Sequence, residues 1–449
     1  MYSTLERFLK YVTYDTQSVQ DAPTVPSTPG QLVLAEEMGA ELRALGLKDV
    51  AVTEHAYVTA TLPGNTAKRV PAVGFVAHLD TATELTGRNV RPRVVKDYDG
   101  GDVVLNEAEG VVLSPRDFPF LANYRGQDLV VTDGTTLLGA DNKAGMAEVM
   151  GAVDYLVHHP EIEHGDVKVA FTPDEEVGHL AKLLDIGKFG ADFAYTLDGG
   201  PIGEVCYENF NAANASVRIK GRAVHPGTAK GMMLNAVTMG HEFLSLFPPA
   251  ETPAATERYE GFYHCTRFDA RTEAAELYFI IRDHDAKRFA ERKAFMEKAV
   301  KWMQDRYGAD RFELEMKDQY YNMADKMAGS MHIAETAMEA MRELGIEPFI
   351  IPMRGGTDGA ALSWRGLLTP NLFTGGHNYH GRFEFIPVQA MEKATAMTRR
   401  SRGPPAPASF WWPCARPTST ARSRTERSRS STRPASSAAP AWPWPRPGP

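Results

Sequence analysis

The sequence predicts an α/β protein, a mixed sheet flanked by helices, interrupted by an inserted α+β domain of ferredoxin-like order. Three observations lead there. Short apolar runs such as residues 73–77 read as strands buried on both faces, and they end abruptly in a histidine or a carboxylate. Stretches with apolar residues at helical spacing separate these runs. Between about residues 210 and 322 the pattern changes to strict alternation, as in antiparallel strands with one face exposed.

Taken in order, Leu5, Phe8, Leu9 and Val12 repeat at helical spacing. A turn-rich stretch over 21–30 follows, then a helix marked by Leu34, Met38, Leu42 and Leu45 and ended by Gly46. Residues 50–52 and 57–62 alternate as strands, with Pro63-Gly-Asn65 as a turn. The run over 73–77 ends in His78-Leu-Asp80, and open α/β sheets bind ligands at the carboxyl ends of their strands. Residues 83–128, rich in Gly, Asp and Pro, are expected to form a long irregular insertion. Asp141 stands just before a helix predicted over 144–158, where the helix dipole favours a carboxylate. The strand 167–171 runs into Thr-Pro-Asp-Glu175-Glu176. Neighbouring strand residues face opposite ways, so both glutamates serve one site only from a loop, which Pro173 favours. Residues 193–197 end in Asp198-Gly-Gly, and 371–374 lead into Gly-Gly-His-Asn-Tyr-His380.

The alternating stretch holds strands near 215–220, 263–270, 275–282 and 312–320, with helices near 234–247 and 287–307. Strand–helix–strand–strand–helix–strand is the ferredoxin-like order. The expected division is a discontinuous catalytic domain (1–209 and 323–398), an inserted domain (210–322) and a tail (399–449).

Composition excludes several classes. With 43% hydrophobic and 24% charged residues, the chain has the make-up of a soluble globular protein. The net charge is −8, but residues 399–449 carry ten Arg against one Glu, which leaves −17 for residues 1–398. Such an acidic body argues against a nucleic-acid partner. Cys206, Cys265 and Cys414 form neither a disulfide framework nor a zinc-ligand spacing, as expected of a cytoplasmic protein. No apolar run reaches the ~20 residues of a membrane span, and no signal peptide is read at the N-terminus. The Arg-, Pro- and Ser-rich tail is expected to be disordered, and its abrupt onset suggests a gene end read out of frame. Intact-mass analysis of the native protein would test that: a full 49.4 kDa species argues against it.

The strand-end groups are His78, Asp80, Asp141, Glu175, Glu176, Asp198 and His380. Two histidines with several carboxylates suit zinc, with cobalt or manganese as alternatives. A bridging carboxylate would hold two ions about 3.5–4 Å apart. A remaining carboxylate would take a proton from water whose pKa the metal lowers to ~7. His377, three residues before His380, is a rival ligand. His158, His159 and His164 read as solvated, and His241-Glu242 lacks the second histidine of a zinc helix.

These residues resemble the peptidase T family, the tripeptide aminopeptidases among the di-zinc exopeptidases that include acylase and carboxypeptidase G. The motifs that carry the likeness are Gly-Phe-Val-Ala-His78-Leu-Asp80, Leu-Leu-Gly-Ala-Asp141-Asn-Lys-Ala-Gly, Ala-Phe-Thr-Pro-Asp-Glu175-Glu176-Val-Gly and Tyr-Thr-Leu-Asp198-Gly-Gly. Val-His225-Pro-Gly-Thr-Ala-Lys-Gly, Tyr-Phe-Ile-Ile-Arg282-Asp, Arg354-Gly-Gly-Thr-Asp-Gly and Asn-Leu-Phe-Thr-Gly-Gly-His-Asn-Tyr-His380 extend it over essentially residues 1–398.

The resemblance implies a zinc-exopeptidase catalytic domain with a lid and dimerisation domain, two zinc ions per subunit, tripeptide substrates and a homodimer. It implies that His78 and Asp198 hold one zinc, Glu176 and His380 the other, and that Asp141 bridges them. Glu175 would be the general base and later the acid, and Asp80 would fix the tautomer of His78. His225 would polarise the scissile carbonyl or stabilise its oxyanion. Arg282 and Arg354 would receive the substrate's terminal carboxylate, with a plain interdomain ion pair as the other reading of Arg282. A cation ~10 Å from the metals, three residues at ~3.3–3.6 Å each, would select tripeptides by length. Asn142 departs from the family, which more often has a second Asp there. Two other functions stay open: a dipeptidase or N-acyl amino-acid deacylase with the same chemistry, and a relative that binds peptide without cleaving it.

Overall fold

The computed structural model describes residues 2–401. Eight strands form the main sheet in the order Lys48–Val52, Val58–Leu62, Val167–Thr172, Val73–His78, Phe193–Gly199, Asn371–Phe373, Glu204–Cys206, Phe349–Ile350. Val167–Thr172, Val73–His78, Phe193–Gly199 and Asn371–Phe373 run parallel, so their carboxyl ends share one edge. Antiparallel Val58–Leu62 and Glu204–Cys206 on either side make the sheet mixed, as expected.

The continuous apolar runs have a simple cause. Phe75, Ala77, Val169, Phe171, Tyr195 and Leu197 face the larger core, while Val76, Ala170 and Ala194 pack oppositely against Phe189, Leu362 and Leu367. Both faces are covered, so apolar residues fill both alternate positions along most of each run. Helices Thr4–Tyr11, Ala140–His158 and Val388–Arg400 pack together over the first face. Buried Arg7 ties the first of these helices to the second and to a fourth: it reaches Asp154 at 2.6 Å and Glu41, in helix Pro29–Ala44, at 2.5 Å. Gly145 lets Ala140–His158 seat closely, because a β-carbon there would come within 2.0 Å of the Leu197 carbonyl oxygen.

The inserted domain is ferredoxin-like. Asn211–Lys220, helix Ala236–Leu244, Phe262–Ala270, Ala274–Asp283, helix Ala286–Tyr307 and Phe312–Tyr320 follow the expected order. The four strands pair antiparallel throughout, with Asn211–Lys220 and Ala274–Asp283 central. Val217, Leu277, Phe279 and Ile281 bury one face against Phe243, Met296 and Met303 of the two helices. Where the chain crosses between the sheets, three buried asparagines interlock. Asn322 Oδ1 accepts from Asn209 N, Asn211 Oδ1 from Asn322 N, and Asn209 Oδ1 from Met323 N.

Several details differ from expectation. Residues 83–128 are not irregular: Val103–Asn106 and Val111–Leu113 form a hairpin, and Arg93–Val95 and Leu129–Val131 join Ile386–Pro387 in a three-stranded sheet. That sheet is completed by a strand far along the chain, which local pattern does not reveal. The long helix opens with a turn at Ala140, but Asp141 (φ −87°, ψ 101°) and Asn142 (φ −123°, ψ 30°) depart from helical geometry, so its regular part begins beside the expected residue 144. His164 is buried, with Nδ1 2.7 Å from the Gly165 carbonyl, and not solvated. The last helix continues to Arg400, held by Arg399 over the Tyr155 ring and an Arg400–Glu343 ion pair. Beyond residue 401 the expectations of disorder and a frame-shifted end lie outside the described residues. Among the described residues no helix is long and apolar enough to cross a membrane.

Candidate metal centre

Parallel register brings the first groups together. Val76 pairs opposite Thr196, and two residues further along each strand, on the same side, come His78 and Asp198. His78 Nε2 lies 3.3 Å from Asp198 Oδ1 and 3.0 Å from Asp141 Oδ1. The second oxygen of Asp141 is 3.2 Å from His380 Nε2, which lies 3.0 Å from Glu176 Oε2. Asp141 thus divides its carboxylate between two three-residue groups, His78–Asp141–Asp198 and Asp141–Glu176–His380. In each, one potential ligand atom per residue lies within 4.8 Å of the others. The sharing is possible because Asp141 leaves helical geometry at the head of its helix, and because His380 adopts a left-handed backbone (φ 60°).

Asp80 ties the two groups together. Its Oδ1 is 3.3 Å from His78 Nδ1 and accepts the Glu175 N–H at 3.0 Å, while Oδ2 accepts the Glu176 N–H at 3.1 Å. Glu175 and Glu176 follow Val167–Thr172 in the 173–178 turn, where the loop geometry presents both to one site.

Negative charge is in excess here. Burial and the neighbouring Asp141 push the Glu176 carboxyl up to about 8. Burial outweighs the pull of His78 and lifts Asp198 to about 6. Burial and the charge of Asp198 hold Glu175 well above the carboxylate range. Burial of Asp141 is overcome by hydrogen bonds from His380 and His78, which keep its carboxyl below the usual range. Glu176 Oε1 is buried without a hydrogen-bond partner. Crowded carboxylates, an orphaned oxygen and imidazole nitrogens aimed at shared carboxylates make a donor set that fits two divalent cations of the zinc type.

The other expected site residues lie outside this cluster. His225 is exposed on the inserted domain, its Nδ1 accepting from Gly227 N, and it shares no hydrogen bond or ion pair with the cluster. Arg282 donates to the Ala213 and Ile281 carbonyls and lies over the Tyr320 ring, whose phenol is close enough to feel the Glu175 charge. Arg354 gives three hydrogen bonds to the 256–260 loop, through the Arg258 and Glu260 carbonyls and Thr256 Oγ1, and covers Phe210 and Phe262. Gly356 seats the segment bearing Arg354 against Tyr320, since a β-carbon there would come within 2.6 Å of its ring. His377 is withdrawn from the centre, stacked on Phe120 and Phe385 and bonded to the Tyr124 hydroxyl.

Asp358 escaped notice. It is buried beside the cluster, bonded to Thr172 Oγ1, and burial raises its carboxyl to about 7. Its only signal was its place in Arg354-Gly-Gly-Thr-Asp, where the arginine drew the attention.

Residues 207–311 match the peptidase dimerisation domain family. Peptidase T of Caldanaerobacter subterraneus is 54% identical over 394 residues, 88% of this chain and 96% of that protein. Peptidase T of Bacillus subtilis is 55% identical over 390 residues, 87% of this chain and 95% of its own length. Among solved structures, aminopeptidase PepT of Bacillus cereus superposes with a TM-score of 0.69 at 23% identity, covering 89% of this chain and 97% of that one. A dinuclear metal-binding M20 peptidase of Bacillus subtilis shares the fold at a TM-score of 0.57 and 14% identity, covering 89% and 96%.

Proposed function

The chain belongs to the peptidase T family, and on that premise we propose that it is a zinc-dependent aminopeptidase releasing the N-terminal residue of tripeptides. The observation that carries this reading is the division of Asp141 between two ligand groups. His78 and Asp198 would hold one zinc and Glu176 and His380 the other, with the Asp141 carboxylate common to both groups. Zinc bound there would supply Lewis acidity and make water acidic enough to react at neutral pH.

The remaining steps belong to the chain. Glu175 takes the proton of the attacking water and returns it to the departing amine, a task suited to a carboxyl whose pKa burial has raised. Asp80 holds the Nδ1 side of His78, leaving Nε2 to the metal, and fixes the Glu175 backbone through its N–H. Arg282, on the Tyr320 side that faces Glu175, receives the terminal carboxylate and measures substrate length. Arg354, which holds the 256–260 loop, is the second candidate for the terminal carboxylate. His225 serves the carbonyl oxygen once the inserted domain, or a second copy of it, brings it to the centre.

Residues 1–209 and 323–398 are then the catalytic domain, and 210–322 the lid through which two copies pair. An acidic body without a membrane-crossing helix among its described residues suits a cytoplasmic enzyme of peptide breakdown.

The test is hydrolysis of di-, tri- and tetrapeptides with free N-termini by chelator-treated and zinc-restored enzyme. Zinc-dependent release of the N-terminal residue, fastest for tripeptides, is expected. Preference for dipeptides or acylated amino acids would keep the metal site and discard the length selection. Absence of cleavage by folded, zinc-loaded protein would leave a peptide-binding relative.

A further inference from the structure

Four residues beyond His380 lies Glu384, a fully enclosed carboxylate with no part in the ligand set. Its Oε2 accepts the backbone N–H groups of Leu138 at 2.7 Å and Gly139 at 2.9 Å, and its Oε1 accepts that of Asp141 at 3.2 Å. Free N–H groups at a helix start are ordinarily met by a side chain close in sequence. Here the acceptor comes from 243 residues away. It also belongs to the loop that carries His380. That loop is closed at its base by reciprocal backbone bonds between His377 and Phe385, with N···O distances of 2.9 and 3.1 Å. Glu384 therefore joins the turn bearing Asp141 to the loop bearing His380, two of the three residues that would hold the second ion.

We propose that Glu384 is a positioning residue for the metal centre: it sets the spacing of Asp141 and His380 and so governs retention of the second ion. This rests on the two-ion reading given above. The geometry makes the two ends of the carboxylate separable. Glu384→Gln keeps one acceptor oxygen, which suffices for Leu138 and Gly139, but turns an NH₂ toward the Asp141 N–H, donor against donor. The Asp141 turn then loses its tie while the rest of the loop stays held.

The experiment titrates zinc into chelator-treated full-length protein against a chromophoric competitor, alongside thermal melting. Wild type is expected to take up two ions. Glu384→Gln is expected to bind the weaker of them about 10–100-fold less tightly, the usual loss when a residue supporting a ligand is changed. Arg7→Ala, which breaks a buried ion pair away from the centre, serves as the control: it lowers the melting temperature but keeps wild-type zinc affinity. If Glu384→Gln does not fold, Glu384→Asp is read the same way, since it withdraws the carboxylate by one methylene. Unchanged affinity for both ions in a folded Glu384 variant overturns the inference and leaves the two-ion reading intact. Fewer than two ions on the wild type overturns both.

Discussion

Asp80 and His78 stand two residues apart at the end of one strand, with Asp80 Oδ1 3.3 Å from His78 Nδ1. The same carboxylate accepts the N–H groups of Glu175 and Glu176 from the neighbouring strand's turn. One anion therefore faces the His78 imidazole and fixes the backbone from which both glutamates project. Asp80→Asn would turn an NH₂ toward one of these N–H donors. We expect kcat/KM to fall about 10–100-fold in a protein that still folds. Steady-state kinetics beside a thermal melt would check this, and undiminished turnover would show that Asp80 only caps the strand.

Glu175→Gln keeps the shape of the base and removes its basicity. kcat should drop by about 10²–10⁴-fold, the span of general acid–base catalysis. Zinc content, measured by metal analysis, should stay at the wild-type value. Joint loss of zinc and activity would make Glu175 a ligand instead.

Arg282→Ala should act on binding more than on chemistry. Hydrogen bonds to charged groups contribute about 1.5–3 kcal/mol, so KM for tripeptides should rise about 10–100-fold with kcat little changed. The preference over dipeptides should shrink at the same time. Identical length profiles in variant and wild type would end the idea that Arg282 measures substrate.

Glu148 offers a prediction independent of function. It is fully buried in the helix Ala140–His158, both carboxylate oxygens lack a hydrogen-bond partner, and burial raises its pKa well above the ordinary 4.5. The folded state holds the proton that the unfolded chain releases above that value. Stability from this group is therefore intact below about pH 4.5 and declines as pH rises toward the elevated folded value. Glu148→Gln cannot ionise, so calorimetry should find it melting a few degrees above wild type at pH 8 and level with it at pH 4. A constant offset at both pH values would mean that the effect is packing.

Much of this was legible in the chain. The strands ending in His78 and Asp198 were readable because burial on both faces keeps charged residues out of the run. The inserted domain was readable because its sheet buries one face only, so apolar and charged residues alternate from Phe312 to Met316. Arg93–Val95 and Leu129–Val131 were not, since their sheet is completed by Ile386–Pro387. Asp358 and Glu384 were missed because a single carboxylate has no spacing to mark it, and its partners are backbone groups or a lone threonine hydroxyl. The engagement of Arg354 with the 256–260 loop depends on contacts between segments almost a hundred residues apart.

The inserted domain begins and ends on neighbouring strands: Ala212, near its start, pairs directly with Tyr320, near its finish. Adjacent strands lie ~4.8 Å apart, so more than a hundred residues return almost to their point of departure. For a growing or refolding chain, this alters the cost of closing the catalytic sheet. Phe193–Gly199 must meet Asn371–Phe373 across a long stretch of chain, and the entropy of such a closure rises with the length that remains loose. Once the insertion has paired its own strands, most of that stretch is already gathered in. The inserted domain then acts during folding as a clasp, delivering the two halves of the main sheet to each other.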